Sequence, residues 1–174
     1  MHWLRSAQVH PRLVIRRATS ADAEAIARVY VDCWRESYAG LLPADHLESL
    51  SYGRFAQQWR YTLSAGGWAF VAEVEGEAVG IGSGGRARDG RLAEGELYVL
   101  YVRLAHQGRG IGRALFEACH YRLALSGLRG MVAWTLAAGP GRRFYEHMGG
   151  VLAGEKSLEI AGVPLREVAY VWPD

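Results

Sequence analysis

Three glycines at alternate positions, Gly108, Gly110 and Gly112, lie between a β-branched, aromatic run and a helical pattern. The first turn of a helix has unpaired backbone N–H groups and the positive end of the helix dipole. Residues without a Cβ atom let an anion approach those N–H groups closely. Arg109 and Arg113 add positive charge beside the same turn. This combination predicts a binding site for a phosphate or pyrophosphate group.

Two common phosphate-binding motifs do not describe this loop. A Walker loop places Gly-Lys-Ser/Thr after its second glycine, and the loop lacks that tripeptide. A dinucleotide fingerprint, G-x-G-x-x-G, fails because its third glycine position, counted from Gly108, falls on Arg113. What remains is the pattern Q-x-x-G-x-G from Gln107 to Gly112.

The elements that position this loop follow from the hydrophobic pattern. Residues 97–102 are a β-branched and aromatic run, typical of a buried strand. Residues 106–112 are the glycine-rich loop. A helix is predicted over residues 111–125, with apolar residues spaced by three and four up to Leu125, and Gly127 ends it.

With these residues in place, the segment resembles the GNAT acyltransferase superfamily, whose pyrophosphate loop for acetyl-CoA has the form Q-x-x-G-x-G. The match includes the preceding strand and the helix start GRALFEA at residues 112–118. The resemblance implies acetyl-CoA as co-substrate, held by Gln107, Gly108, Arg109, Gly110, Ile111, Gly112 and Arg113. The alternative is a glycine-rich surface turn with two solvated arginines.

The predicted elements follow the order strand, helices, hairpin, strand, helix, strand, helix, hairpin. This order indicates an α/β protein with a mixed sheet covered by helices. The resemblance runs from Leu13 and implies the GNAT fold, a mixed, mostly antiparallel central sheet flanked by helices. We expect a loose N-terminal extension over residues 1–12 and a single N-acetyltransferase domain over residues 13–174.

Acetyl transfer to an amine needs a held cofactor, a polarised carbonyl and a proton donor for the departing thiolate. In the GNAT family the central strand splays from its parallel neighbour, which implies that the pantetheine arm pairs along Leu100, Tyr101 and Val102. Residues 142–146 match the family's RRFYE helix, so the resemblance makes Tyr145 the proton donor. The alternative for the central strand is a fully paired ladder, and the alternative for Tyr145 is a tyrosine packed in the core. Ala138 replaces an asparagine that the family often has, which removes one cofactor contact.

A base must also take a proton from the acceptor, because an alkyl ammonium is mostly unreactive at neutral pH. Strand alternation puts Glu96 on one face with Tyr98, Leu100 and Val102. Glu96 is therefore the candidate base, directly or through water, and Glu94 is the next candidate. A solvated carboxylate at a hairpin edge is the alternative, and many family members use ordered water alone.

Trp34, Glu36 and Tyr38 lie at the end of the first predicted helix. In the family this region roofs the acceptor pocket, so the resemblance implies that these residues bind the substrate. Two aromatic rings and one carboxylate suit an acceptor that carries an amine. Core packing for Trp34 and solvation for Glu36 are the alternatives.

Composition excludes several classes of function. The 174 residues carry a formal net charge of +2, so nothing calls for a nucleic acid or an anionic membrane as partner. Cys33 and Cys119 lack CxxC spacing, and the six histidines lack metal-ligand spacing, so no metal is expected. The N-terminus lacks the apolar segment of a secretion signal, and no apolar run reaches a transmembrane length. These observations predict a soluble cytoplasmic protein.

The favoured hypothesis is an acetyl-CoA-dependent N-acetyltransferase that acts on a small-molecule or peptide amine by direct attack in a ternary complex. A non-catalytic acyl-CoA-binding or sensory module on the same fold is the alternative. A toxin-type enzyme acting on aminoacyl-tRNA is disfavoured by the modest charge. The oligomeric state stays open between a monomer and the homodimer common among relatives.

Overall fold

The computed structural model describes residues 12–173. The expected N-terminal extension, residues 1–12, lies outside the described residues apart from Arg12. The strands are β1 Leu13–Arg17, β2 Ala69–Val74, β3 Glu77–Arg86, β4 Gly95–Val102, β5 Met131–Leu136, β6 Val151–Ile160 and β7 Val163–Trp172. The helices are α1 Ala23–Ser37, α2 Ala44–Ser49, α3 Tyr52–Ser64, α4 Ile111–Leu125 and α5 Gly141–His147, with 3-10 turns at Ser20–Asp22 and Leu104–His106.

The described strands form one sheet in the order β1-β2-β3-β4-β5-β7-β6. Strands β4 and β5 run parallel, and every other neighbouring pair in the described sheet is antiparallel. The prediction of a mixed, mostly antiparallel sheet flanked by helices is confirmed. The one parallel pair lies at the centre, where the glycine-rich loop follows β4.

Two tight turns close the hairpins on either side of this centre. Glu75 and Gly76 join β2 to β3, and Ala161 and Gly162 join β6 to β7. All four residues have positive φ, between 52° and 83°. Two consecutive residues with positive φ match the right-handed twist of the strands, which is why such turns favour glycine at the second position.

Helix α4 packs closely on one face of the sheet, while α1 and α3 cover the other. A Cβ atom on Gly82 would lie 2.6 Å from the Cys119 Sγ atom, so β3 needs glycine for this approach. The buried side of α4 is formed by Ile111, Leu115, Phe116, Cys119 and Leu123. The predicted apolar stripe is wrong at its end, because Leu125 is 64% exposed.

Strand β4 contains a β-bulge at Tyr98. Val99 pairs with Ser83 and Leu97 pairs with Gly84, so Tyr98 is an additional residue on the β4 side. Leu97 and Leu100 consequently both pack on the α4 side of the sheet, although they are three positions apart.

The bulge corrects one prediction about the site. An additional residue reverses the alternation of every side chain that follows it. Val99 and Tyr101 pack on the α1 side, and Leu100 and Val102 on the α4 side. Strand alternation alone predicts that Glu96 and Tyr98 share a face with Leu100 and Val102. This prediction is wrong, because the bulge puts the two pairs on opposite faces of the sheet.

Candidate active site

The parallel strands β4 and β5 separate halfway along their length. They pair at Gly95, Glu96 and Leu97, and the register ends there. Further along β4, the Arg103 N–H donates to the Val79 carbonyl at 2.9 Å. In an antiparallel pair alternate residues turn their backbone groups toward the partner strand. Because Arg103 faces β3, the backbone groups of Leu100 and Val102 face the gap beside β5.

The Gln107 side chain contacts this gap. Its Nε2 atom donates to the Val102 carbonyl at 2.9 Å. The hydrogen bond shows that the Val102 carbonyl faces the gap. It also ties the start of the glycine-rich loop to the end of β4. Gln107 was predicted as a loop residue that holds the cofactor, and the structure places its amide group on the strand.

The glycine-rich loop places unpaired N–H groups at the end of this gap. The first hydrogen bond of α4 runs from the Ala114 N–H to the Gly110 carbonyl at 3.0 Å. The N–H groups of Ile111, Gly112 and Arg113 therefore precede the first helical bond. The Ile111 side chain is buried in the core, so only its backbone can meet a ligand.

The three glycines of the loop serve two different needs. Gly108 and Gly110 have φ values of 72° and 79°, a left-handed conformation that disfavours other residues. Gly112 has ordinary helical geometry, but a Cβ atom there would lie 3.1 Å from the Phe144 ring. The sequence motif alone did not reveal this packing role. Arg109 is exposed at the tip of the loop.

A cleft with a volume of about 430 Å³ joins the gap and the loop. It is lined by Leu100, Tyr101, Val102, Gln107, Gly108, Gly110, Gly112 and Arg113, among others. Tyr38, Tyr98, Trp134, Thr135 and Tyr145 also line it. A second cavity of about 610 Å³ shares Ser37, Gln107 and Pro140 with it and adds Glu36, Ala138, Arg142 and Arg143.

Tyr145 lies in this cleft on the short helix α5. The residue is 7% exposed, and its ring packs edge-on against Phe144 and Trp172. Burial raises the pKa of Tyr145 well above its ordinary value. The phenol is therefore protonated at neutral pH, which is the form that a proton donor for a departing thiolate needs.

Glu96 is buried and bound to an arginine. The Arg88 N–H donates to Glu96 Oε2 at 2.9 Å, and Arg88 Nε donates to Oε1 at 3.0 Å. The Glu96 side chain is 3% exposed. The alternative of a solvated hairpin-edge carboxylate is therefore wrong for Glu96. Neither Glu96 nor Glu94 lines the cleft, and Glu94 forms an ion pair with Arg129 at 2.8 Å.

The three residues predicted to bind the acceptor lie in different places. Tyr38 lines the cleft itself. Glu36 accepts from the Leu104 N–H at 2.9 Å and lines the second cavity. Trp34 lines neither cavity, and its Nε1 atom donates to the Tyr101 hydroxyl at 3.0 Å. Trp34 therefore lies behind the cleft, whereas Glu36 lies at the adjoining second cavity.

Neither cysteine is suited to act as a nucleophile. Cys33 and Cys119 are free and buried. Burial raises the pKa of each thiol to about 12, so little reactive thiolate exists near neutral pH. Residues 12–173 contain no group of three or more histidine, cysteine or acidic side chains that could hold a metal. Every helix in that range is too short or too polar to cross a bilayer.

Sequence reasoning missed several residues in and around the site, including Arg88, Trp134 and Thr135. Arg88 lies in a charged loop, where no spacing marks it as the partner of Glu96. Trp134 and Thr135 lie on β5, and both line the cleft because β4 moves away from that strand. Trp134 could have been predicted as a site residue, because it is an aromatic residue on the strand next to the expected splay.

Comparisons with known proteins agree with this geometry. A family model described as the acetyltransferase (GNAT) domain matches residues 65–149. The uncharacterized N-acetyltransferase YuaI of Bacillus subtilis is 36% identical over 164 residues, which cover 93% of this chain and 94% of that protein.

Solved structures share the fold. A GCN5-related N-acetyltransferase from Rhodopseudomonas palustris has a TM-score of 0.74 at 21% identity, covering 94% of this chain and 95% of its own. The protein yncA from Salmonella typhimurium, solved with its cofactor acetyl-CoA, has a TM-score of 0.68 at 23% identity, covering 92% and 93%. The sequence match across nearly the whole length, on a shared fold, shows that the chain belongs to the GNAT acetyltransferase family.

Proposed function

We propose that the protein is an N-acetyltransferase that transfers the acetyl group of acetyl-CoA to a primary amine by direct attack in a ternary complex. The observation that carries the proposal is the continuity of the β4/β5 gap with the N-terminus of α4 in one cleft. This shape suits a ligand with a long amide-bearing arm and a diphosphate. The structural neighbour solved with acetyl-CoA supports the choice of cofactor.

The loop would hold the diphosphate of the cofactor. The unpaired N–H groups of Ile111, Gly112 and Arg113 face an anion at the positive end of the helix dipole. Gly108 and Gly110 shape the approach, and Arg109 with the Arg113 side chain adds charge. Because Arg113 lies 3.9 Å from Glu117, the diphosphate competes with a weak exposed ion pair there.

The gap would hold the pantetheine arm. The amides of that arm pair with the backbone groups of Leu100 and Val102, in the manner of an added strand. Tyr101 supplies the backbone link between these two residues. The Val102 carbonyl already accepts from Gln107, so the Gln107 side chain yields this position or shares the carbonyl, which has two lone pairs.

Tyr145 would act as the general acid. The amine nitrogen forms a bond to the acetyl carbonyl carbon, and the carbon–sulfur bond breaks. Coenzyme A leaves as a thiolate that takes the Tyr145 proton, and the amine releases its protons to a base and to solvent. The raised pKa of Tyr145 means that the phenol is protonated at neutral pH, and solvent returns a proton to Tyr145 after the thiolate has taken one.

Glu96 is the proposed base, and it would act through a water molecule. Only 3% of its side chain is exposed, so an acceptor amine does not reach the carboxylate directly. Attack in a ternary complex, without an acyl-cysteine intermediate, fits the two buried thiols, whose pKa values are raised to about 12.

The experiment that tests the proposal follows thiol release from acetyl-CoA by purified protein across a library of amines. Release that depends on an amine, with acetylated amine detected by mass spectrometry, supports the enzyme. Acetyl-CoA binding without release for any amine would support the non-catalytic binding module instead. Absence of acetyl-CoA binding would contradict both.

A further inference from the structure

We infer that the acceptor carries a carboxylate beside its amine, so that its chemical class is the amino acids and similar aminocarboxylates. The inference rests on the proposed function and concerns the part of the cleft that the cofactor arm does not fill.

The acceptor part of the cleft lies on the face of the sheet opposite α4. Ala133 is buried in the core beneath α4, so the next residue, Trp134, points to the other face. Tyr98 at the β4 bulge points to the same face as Glu96 and Arg88. Together with Tyr38, these residues give the cleft aromatic walls.

Each of two aromatic walls carries an exposed cation. Lys156 Nζ lies 4.0 Å from the centroid of the Trp134 ring, and Arg88 Cζ lies 5.5 Å from the centroid of the Tyr98 ring. The two side chains are 46% and 67% exposed. Cations held on aromatic faces keep a defined position at the rim while remaining open to a ligand.

The carboxylates of this region are less accessible than the cations. Glu96 is buried and bound by Arg88. Glu167 lies 3.3 Å from Lys156 and is 22% exposed. Arg88 binds Glu96 through Nε and Nη2, which leaves its Nη1 group for another carboxylate. Asp89 interacts electrostatically with Lys156 and is 43% exposed, but it forms an ion pair with Arg91, which is 84% exposed. The accessible charge at this rim is therefore mainly positive.

This charge pattern separates the acceptor classes. A polyamine would bring several positive charges toward two exposed cations, which repel it. An aminocarboxylate places its carboxylate between Arg88 and Lys156, and an apolar side chain packs against Trp134 and Tyr98. Its amine then points inward, toward the gap where the thioester would lie.

The test compares three matched series: leucine, methionine and phenylalanine, the amides of these amino acids, and the amines left after their decarboxylation. We expect kcat/KM to be at least about ten-fold higher for the amino acids than for either control series, the value of one charge-assisted contact. Lys156→Met should reduce this preference several-fold. Arg166→Met, on the same hairpin and paired with Glu155, should leave the preference unchanged.

Equal or better use of the amides or decarboxylated amines would overturn the inference while leaving the N-acetyltransferase proposal intact. A Lys156→Met variant that folds normally and keeps the full preference would also overturn it. If the protein transfers acetyl groups to none of these amines nor to any other, the proposed function itself fails.

Discussion

Tyr145 combines two properties that a general acid in this reaction needs, a position in the cleft and a proton retained at neutral pH. We predict that Tyr145→Phe lowers kcat by roughly 100-fold, the usual scale of general acid catalysis. The affinity for acetyl-CoA should change by less than about two-fold, because the ring still packs against Phe144 and Trp172. Steady-state kinetics with calorimetry checks both values, and unchanged turnover would remove Tyr145 from the mechanism.

Glu96 is tested by a change that keeps its size. We predict that Glu96→Gln lowers kcat by roughly 100-fold, because the amide cannot take a proton from the relay water. Glu94→Gln is the matched control, since Glu94 forms an ion pair with the exposed Arg129, and its kcat should stay within about two-fold. Full activity of the Glu96 variant would show that water alone accepts the proton.

At the residue scale, the sequence predicts residue types at the site better than it predicts their contacts. Tyr38 and Tyr145 both line the cleft, in agreement with the regions expected for them. Glu36, by contrast, binds the Leu104 N–H, a partner 68 positions away along the chain. Spacing within a helix carries no information about such a partner, so only the folded structure shows that Glu36 ties α1 to the turn before the loop.

At the scale of elements, the loop and α4 follow closely from their sequence. The helix covers Ile111–Leu125, the range predicted, because Gly110 and Gly127 have left-handed φ values that end the regular pattern on each side. The bulge in β4 could not be predicted in this way. It depends on pairing with β3, where Gly84 lacks the Cβ atom that would lie 2.5 Å from the Glu96 carbonyl.

The loop supplies a prediction at this scale. Gly110→Val should weaken acetyl-CoA binding by at least about 100-fold, because a β-branched residue resists the φ of 79° and redirects the N–H groups. Gly66→Val is the matched control for backbone strain, since Gly66 has a φ of 91° and lies outside the cleft. Calorimetry should find normal affinity in the control. Normal affinity in the Gly110 variant would refute the assignment of the loop.

At the scale of the whole molecule, the order of elements predicts the fold. The separation of β4 from β5 depends instead on tertiary structure. Strand β4 and helix α4 lie within two residues of their predicted ranges, because their apolar periods and glycine breaks are strong. The parallel pairing stops after Leu97, and no local pattern in β5 signals that end. The family resemblance anticipated this gap, whereas periodicity alone did not.

The stability of the whole molecule should depend on a charge cluster that ties β1 to the start of α1. Asp22 accepts from both Arg16 Nη1 and Nη2, at 2.9 and 2.7 Å, and from the Thr19 N–H at 2.7 Å. The Arg16 guanidinium lowers the pKa of Asp22 from 3.8 to about 2. A lowered pKa stabilises the folded state fully above the unfolded value, and that stabilisation is lost as pH falls toward the folded value.

We therefore predict that Asp22→Asn destabilises the protein by about 2 kcal/mol at pH 7. The difference from the wild type should shrink as pH falls from about 4 toward 2, which urea unfolding at several pH values would measure. Asp89→Asn is the control, because Asp89 forms an exposed pair with Arg91 two positions away and should contribute little. A difference that stays constant down to pH 2 would contradict the role of the Asp22 charge.

The most direct measurement is an experimental structure of the protein with acetyl-CoA bound. The account predicts the diphosphate on the N–H groups of Ile111, Gly112 and Arg113, the pantetheine arm between β4 and β5, and the thioester sulfur within hydrogen-bonding reach of the Tyr145 hydroxyl. A complex in which the cofactor lies elsewhere, or in which the glycine-rich loop stays empty at saturating acetyl-CoA, would contradict it.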